Sequence, residues 1–112
     1  MKNYNDFLKE CNPNDKGSLV VFGAGTIGRL TLGSLKEKNI NVDYFCDSDQ
    51  RKQGSEIENV EVISPSKLKT FDKKRTQIFV SANYFGSIIP FLKKEGFTNL
   101  YDATELLEKT DI

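Results

Sequence analysis

The chain has 112 residues, 38% of them hydrophobic, and its 16 basic side chains balance 16 acidic ones. That length suits one domain and leaves no room for the second, substrate-binding domain that dinucleotide dehydrogenases usually carry. Zero net charge, with basic residues only in short runs such as Arg51-Lys52 and Lys73–Arg75, argues against nucleic acid as a partner, because phosphate contacts dominate that kind of affinity.

Met1–Glu10 is predicted to form a short helix with Tyr4, Phe7 and Leu8 on one side, followed by a turn-rich break over Asn12–Gly17. This polar start is no signal peptide, and no apolar run approaches the roughly 18 residues of a membrane span. Cys11 lies in a polar stretch and Cys46 in an apolar one. Two cysteines are not the dense pattern of a secreted disulfide scaffold, so a reduced, cytoplasmic protein is the simpler reading.

Ser18–Phe22 reads as a short apolar strand, and Gly23–Gly28 as a glycine turn opening a helix whose stripe is Ile27, Leu30, Leu32 and Leu35. Asn41–Cys46 is the second strand. A polar loop runs over Asp47–Gly54, and a turn at Glu58-Asn59 precedes a third strand, Val60–Ile63. Ser64-Pro65 starts a helix with proline at its first position, Leu68 and Phe71 facing inward. Gln77–Ala82 is the fourth strand. The next helix, Tyr84–Glu95, buries Phe85, Ile88, Ile89 and Leu92 and ends at Gly96. Pro90 either kinks that helix or, if Ser87 is the cap, falls in its first turn. Thr98–Tyr101 is the fifth strand and Ala103–Lys109 a last short helix. Strands alternating with helices predict an α/β, three-layer Rossmann-like fold: a parallel five-stranded sheet of order 3-2-1-4-5, in a single domain spanning 1–112.

The sharpest functional signal is Gly23-Ala24-Gly25-Thr26-Ile27-Gly28, because it follows an apolar strand and opens an amphipathic helix. Gly23 would allow the tight turn, Gly25 the approach of a phosphate, and Gly28 close packing of helix on sheet. The first-turn N–H groups, from Thr26 through Ile27 to Gly28, would meet the anion. The plainer alternative is a turn that only joins strand to helix. Asp47, just past the second strand, stands where an acid meets a ribose or a base edge, and Asp49 could substitute. The alternative there is a turn carboxylate accepting from backbone amides. An acid at this place disfavours a 2′-phosphate, so NAD or a uridine nucleotide fits better than NADP. Asn83 and Tyr84, past the fourth strand, could contact a sugar and stack on a base, or cap a helix and pack at the sheet edge.

Several reactive constellations are missing. The chain has no His, hence no imidazole base or His metal site. The glycine loop lacks the Lys and Ser/Thr of a nucleotidase loop, no Ser stands in a nucleophile elbow, and no Tyr has a Lys four residues on. Chemistry would need residues supplied from elsewhere.

Val20-Val-Phe-Gly-Ala-Gly-Thr-Ile-Gly28, Val42-Asp-Tyr-Phe-Cys-Asp-Ser-Asp49, Lys52-Gln-Gly54, Val60-Glu-Val-Ile-Ser-Pro65 and Gly96-Phe97 together resemble the Rossmann-like N-terminal domains of bacterial sugar-modifying proteins. These relatives include the nucleotide-sugar-binding domain of UDP-amino-sugar acetyltransferases, and modules of nucleotide-sugar dehydratases, methyltransferases and glycosyltransferases. The likeness runs from about Ser18 to Leu107. It implies a role in surface polysaccharide or glycan synthesis, with the diphosphate at Gly23–Gly28 and the uracil or ribose at Asp47 and Asp49. Thr26-Ile27 replaces the Gly-His of the acetyltransferase branch, and the hexapeptide-repeat β-helix is absent, so acetyl transfer does not carry over.

Three functions follow from this reading. The first is a noncatalytic binding domain for a nucleotide-sugar, a UDP-sugar among them, or NAD, working with a catalytic domain or as a homo-oligomer. The second is a fragment of a sugar-modifying enzyme whose catalytic part lies elsewhere. The third is a scaffold with a vestigial pocket.

Overall fold

The computed structural model describes residues 1–10, 17–81 and 85–104. Its elements are α1 (Tyr4–Glu10), β1 (Leu19–Phe22), α2 (Thr26–Glu37), β2 (Tyr44–Cys46), β3 (Glu56–Ile57), β4 (Val60–Ile63), α3 (Pro65–Leu68), β5 (Gln77–Val80), α4 (Phe85–Lys94) and β6 (Leu100–Asp102). They form an α/β Rossmann-like fold around one sheet, ordered β3-β4-β2-β1-β5-β6.

The expected five-stranded, all-parallel sheet needs correction. There are six strands, and β3 runs antiparallel to β4. Glu58 and Asn59, both at positive φ, form the two-residue turn that folds Ile57 back on Val60. A two-residue strand with one exposed and one half-buried side chain carries no periodic signal, so the sequence shows only the turn. The extra strand also displaces the expected numbering: the five parallel strands run β4-β2-β1-β5-β6.

β1 lies at the centre, paired with β2 and β5, and all four of its side chains are buried. A strand covered on both faces needs apolar residues throughout, which Leu-Val-Val-Phe supplies. On one face Phe7, Val21, Leu32, Leu35, Phe45, Phe79 and Tyr101 form a core under α1 and α2. On the other, Val20, Phe22, Ile78, Val80, Leu92 and Phe97 form a second core with residues of α3 and α4. Phe7 meets Phe79 and Tyr101 edge-on at 5.1 and 5.2 Å, a favoured aromatic geometry. The outer edge of β6 is covered by Lys2, whose N–H donates to Leu100 and whose carbonyl accepts from Asp102.

Local chemistry sets the element ends. β2 begins at Tyr44 rather than Asn41 because the Asp43 carboxylate takes the Leu19 N–H at 2.8 Å. α2 ends in a Schellman arrangement: Asn39 has φ +59, and the Asn39 and Ile40 amides donate to Lys36 and Leu35. Gly96, at φ +99, ends α4 in the same way, with Phe97 donating to Leu92. Ser64 caps α3 through Lys67 N–H at 3.1 Å, with Pro65 at the first position. Pro90 lies inside α4, and Ser87 is a residue of that helix rather than its cap. Pro90 and Gly86 are exposed, so the carbonyl left without its usual donor faces water. The expected helix over Ala103–Lys109 lies mostly outside the described residues.

Among the described residues no helix is long and apolar enough to cross a membrane, and no three or more Cys, Asp or Glu side chains gather where they could hold a metal ion.

Candidate ligand site at the carboxyl edge of the sheet

In an open α/β sheet, ligands bind beyond the carboxyl ends of the strands where the order reverses, here between β1 and its neighbours. Gly23 leaves β1 with φ +113, a conformation that disfavours any side chain, and its N–H donates to the Cys46 carbonyl at 2.8 Å. Gly28, in the first turn of α2, lies against that corner. A Cβ on it would stand 1.7 Å from the Gly23 carbonyl oxygen. The helix start is therefore pressed onto the strand end, as only glycine permits.

Gly25 is the N-cap of α2. It has φ −93, no side chain caps the terminus, and the first turn contains no acid. Thr26 is exposed and Ile27 half-buried. With Gly28 they carry the first-turn N–H groups, which have no intrahelical acceptors. The helix thus carries no acid of its own against the positive end of its dipole.

Asp47 is 2% exposed. Its Oδ2 accepts the Ala24 N–H and its Oδ1 the Asp49 N–H, both at 2.8 Å. The carboxylate fastens the glycine loop to the loop after β2. Asp49 is more open, with a side chain 29% exposed. Arg51 donates to both Asp49 oxygens through Nε and Nη2, at 3.1 and 3.0 Å, and those hydrogen bonds hold the Asp49 carboxyl below the usual carboxylate range.

Two of the predicted contacts, Asn83 and Tyr84, lie outside the described residues, as does Cys11. Ser81 is buried beside the site, its N–H donating to Phe22. Cys46 is a buried free thiol. Burial pushes it far above its ordinary range, and neighbouring Asp47 adds to the effect.

The sequence reading missed Lys52 as a site residue. Its Nζ lies 3.9 Å from Asp47 Oδ2 and 3.8 Å from the position of a Cβ on Gly25. The signal was its place in the Lys52-Gln-Gly54 stretch, but a lysine in a polar loop ordinarily reads as solvated.

A separate cleft of about 450 Å³ opens at the opposite, amino edge of the sheet, with Leu32, Val42 and Val60 among its lining. Asn39, Glu58 and Asn59, the non-glycine residues at positive φ, also line it. Helix capping and the hairpin turn account for all three.

No curated protein matches the chain in sequence. Among solved structures it is similar to UDP-D-quinovosamine 4-dehydrogenase from Vibrio fischeri, with 19% identity, a TM-score of 0.61 and coverage of 85% of this chain and 86% of that one. It is similar to RSP, a Rex-family repressor, in complex with β-NADH, at 17% identity and a TM-score of 0.59, covering 88% of this chain and 51% of that one. Aspartate semialdehyde dehydrogenase II from Vibrio cholerae aligns at 22% identity with a TM-score of 0.56, over 78% of this chain and 30% of that one. These likenesses carry the fold alone. A family model, C2185-like, N-terminal, matches residues 15–90, more than half of the sequence, and the chain belongs to that family.

Proposed function

We propose that this domain holds a nucleotide-sugar or NAD by its diphosphate, at the glycine loop and the start of α2. The carrying observation is the fit of Gly28 under Gly23. It sets the helix terminus, with no side-chain cap and no acid in its first turn, at the strand edge, where a Cβ on Gly25 would meet nothing closer than Lys52 Nζ at 3.8 Å. The Thr26, Ile27 and Gly28 amides then donate to phosphate oxygens. Asp47 positions Ala24 and the loop, and Asp49, held by Arg51, is the carboxylate a ribose hydroxyl pair can reach. Asn83 and Tyr84 are proposed to meet the sugar or base.

The function is binding, in bacterial surface polysaccharide or glycan synthesis, with chemistry supplied by another domain or chain. The resemblance to domains of sugar-modifying proteins supports this context. Neighbours of which one is named for a UDP-sugar and another holds β-NADH support a nucleotide as the ligand.

Titration calorimetry against UDP-N-acetylglucosamine, UDP, NAD and NADP tests the reading, with Gly25→Ser as the control. Gly25 has room for a Cβ, and serine is a good N-cap. The variant should fold normally while its hydroxyl takes the amides a phosphate needs. Saturable binding in the wild type and its loss in Gly25→Ser support the proposal. Equal binding by both places the ligand elsewhere.

A further inference from the structure

We infer that Lys52, from the loop between β2 and β3, supplies the cation of the phosphate subsite at Gly25; this rests on the ligand reading above. Among the described residues, leaving aside the chain neighbours of Gly25, its Nζ is the heavy atom within 4 Å of a Cβ built there, at 3.8 Å. Two positive elements of separate origin, the amino end of α2 and the Lys52 ammonium, therefore meet over the glycine that has no side chain.

The loop that carries Lys52 is fastened on both sides. Lys52 N–H donates to Asp49 at 3.0 Å, and its carbonyl accepts from Ser55 N–H at 3.1 Å and from the Ser55 hydroxyl. Gly54 donates to Val62 and Val62 to Ser55, each at 2.8 Å, while Gln53 Nε2 donates to the Asp47 carbonyl at 2.9 Å. The backbone thus fixes where the lysine starts, and the side chain lies back over the glycine loop.

Its charge is only loosely matched. At 3.9 Å the contact with Asp47 Oδ2 is an ion pair beyond hydrogen-bond reach, and that oxygen already accepts the Ala24 amide. Arg51, the adjacent cation, is engaged by Asp49. Lys52, with its side chain 37% exposed, keeps donors for a phosphate oxygen. Asp47 is its resting counter-ion, and a diphosphate, with more than one negative charge, draws the ammonium away. A neutral nucleoside gives it nothing to bind.

The test compares wild type, Lys52→Met and Lys52→Arg by calorimetry with UDP and NAD, and with uridine and adenosine, at low and high salt. Thermal unfolding of each variant checks the fold. Lys52→Met should bind UDP or NAD about tenfold more weakly, with a flatter salt dependence and unchanged nucleoside binding. Lys52→Arg should retain most of the affinity and the salt dependence. Wild-type affinity and salt dependence in Lys52→Met overturn the inference while leaving the ligand reading intact. A weakening that falls equally on nucleosides marks a structural role and also overturns it. Absence of UDP and NAD binding by the wild type overturns both.

Discussion

A Cβ on Gly28 would lie 1.7 Å from the carbonyl oxygen of Gly23, and the nearest side-chain atom of Phe45 would lie 3.4 Å away. Backbone meets backbone here, so no rotamer change relieves the contact. Gly28→Ala should force the start of α2 off the strand and cost about 3 kcal/mol, the upper range for overpacking. Gly33, five residues along the same helix, has nothing within 4 Å of its Cβ position and is exposed. Gly33→Ala should therefore stabilise the domain by about 0.5–1 kcal/mol through helix propensity. Urea unfolding of the two variants checks the pair. Similar effects from both would mean that the loop is not built on this contact.

Asp47 is the second structural test. Alanine there leaves the Ala24 and Asp49 N–H groups without their acceptors, a cost of about 3 kcal/mol for two such groups. The same change removes the Lys52 counter-charge. Asp49→Asn disturbs only the bonds from Arg51, its backbone N–H included, and leaves those to Asp47 in place, so it should shift the melting temperature little. Ligand loss in an Asp47 variant is thus confounded by unfolding, and Asp49→Asn is the cleaner probe of a ribose contact. Equal melting temperatures for Asp47→Ala and wild type would argue that its carboxylate is not the fastening between the two loops.

The sequence made the strand–turn–helix legible because each signal was local. Leu19–Phe22 is a continuous apolar run, Gly23 and Gly28 answer to backbone contacts a few residues away, and Ser64-Pro65 is a self-contained cap. The β3 strand was not legible, because two residues with no burial pattern pair only through a turn. Asp47 was legible by position but not by state. Its burial depends on amides 23 residues back and two residues on, and no spacing rule weighs those against a ribose. Lys52 was invisible as a site residue for the same reason: its meaning lies in the distance to Gly25.

Acid should weaken the fold through Glu10. The Tyr101 hydroxyl donates to its Oε2 at 2.7 Å and the Lys2 ammonium at 3.0 Å, and these hydrogen bonds hold its carboxyl below the usual range. A carboxyl lowered on folding adds stability above its unfolded value, and that stability is lost as pH falls through the folded value. Glu10 is partly exposed, so the effect is small and salt-screened. Asp49, lowered by Arg51, acts with the same sign, so the informative quantity is the difference between variants. Glu10→Gln should show a shallower loss of urea midpoint than wild type between neutral pH and about pH 3. Parallel profiles would remove Glu10 from the account.

The Cys46 thiol should be inert in the native state. It ends β2 with no exposure, pairs in register with Phe22 and Ile63, and is held protonated by burial and by Asp47 beside it. Only a thiolate reaches an alkylating reagent productively, so reaction requires unfolding. In a Cys11→Ser background, labelling of Cys46 by iodoacetamide should be on the order of a thousandfold slower than in urea, as a stably folded domain dictates. Adding UDP or NAD should slow it further if ligand stabilises the folded state, since binding and unfolding are linked. Labelling within minutes in native buffer would place the thiol at the surface and contradict the sheet register around β2.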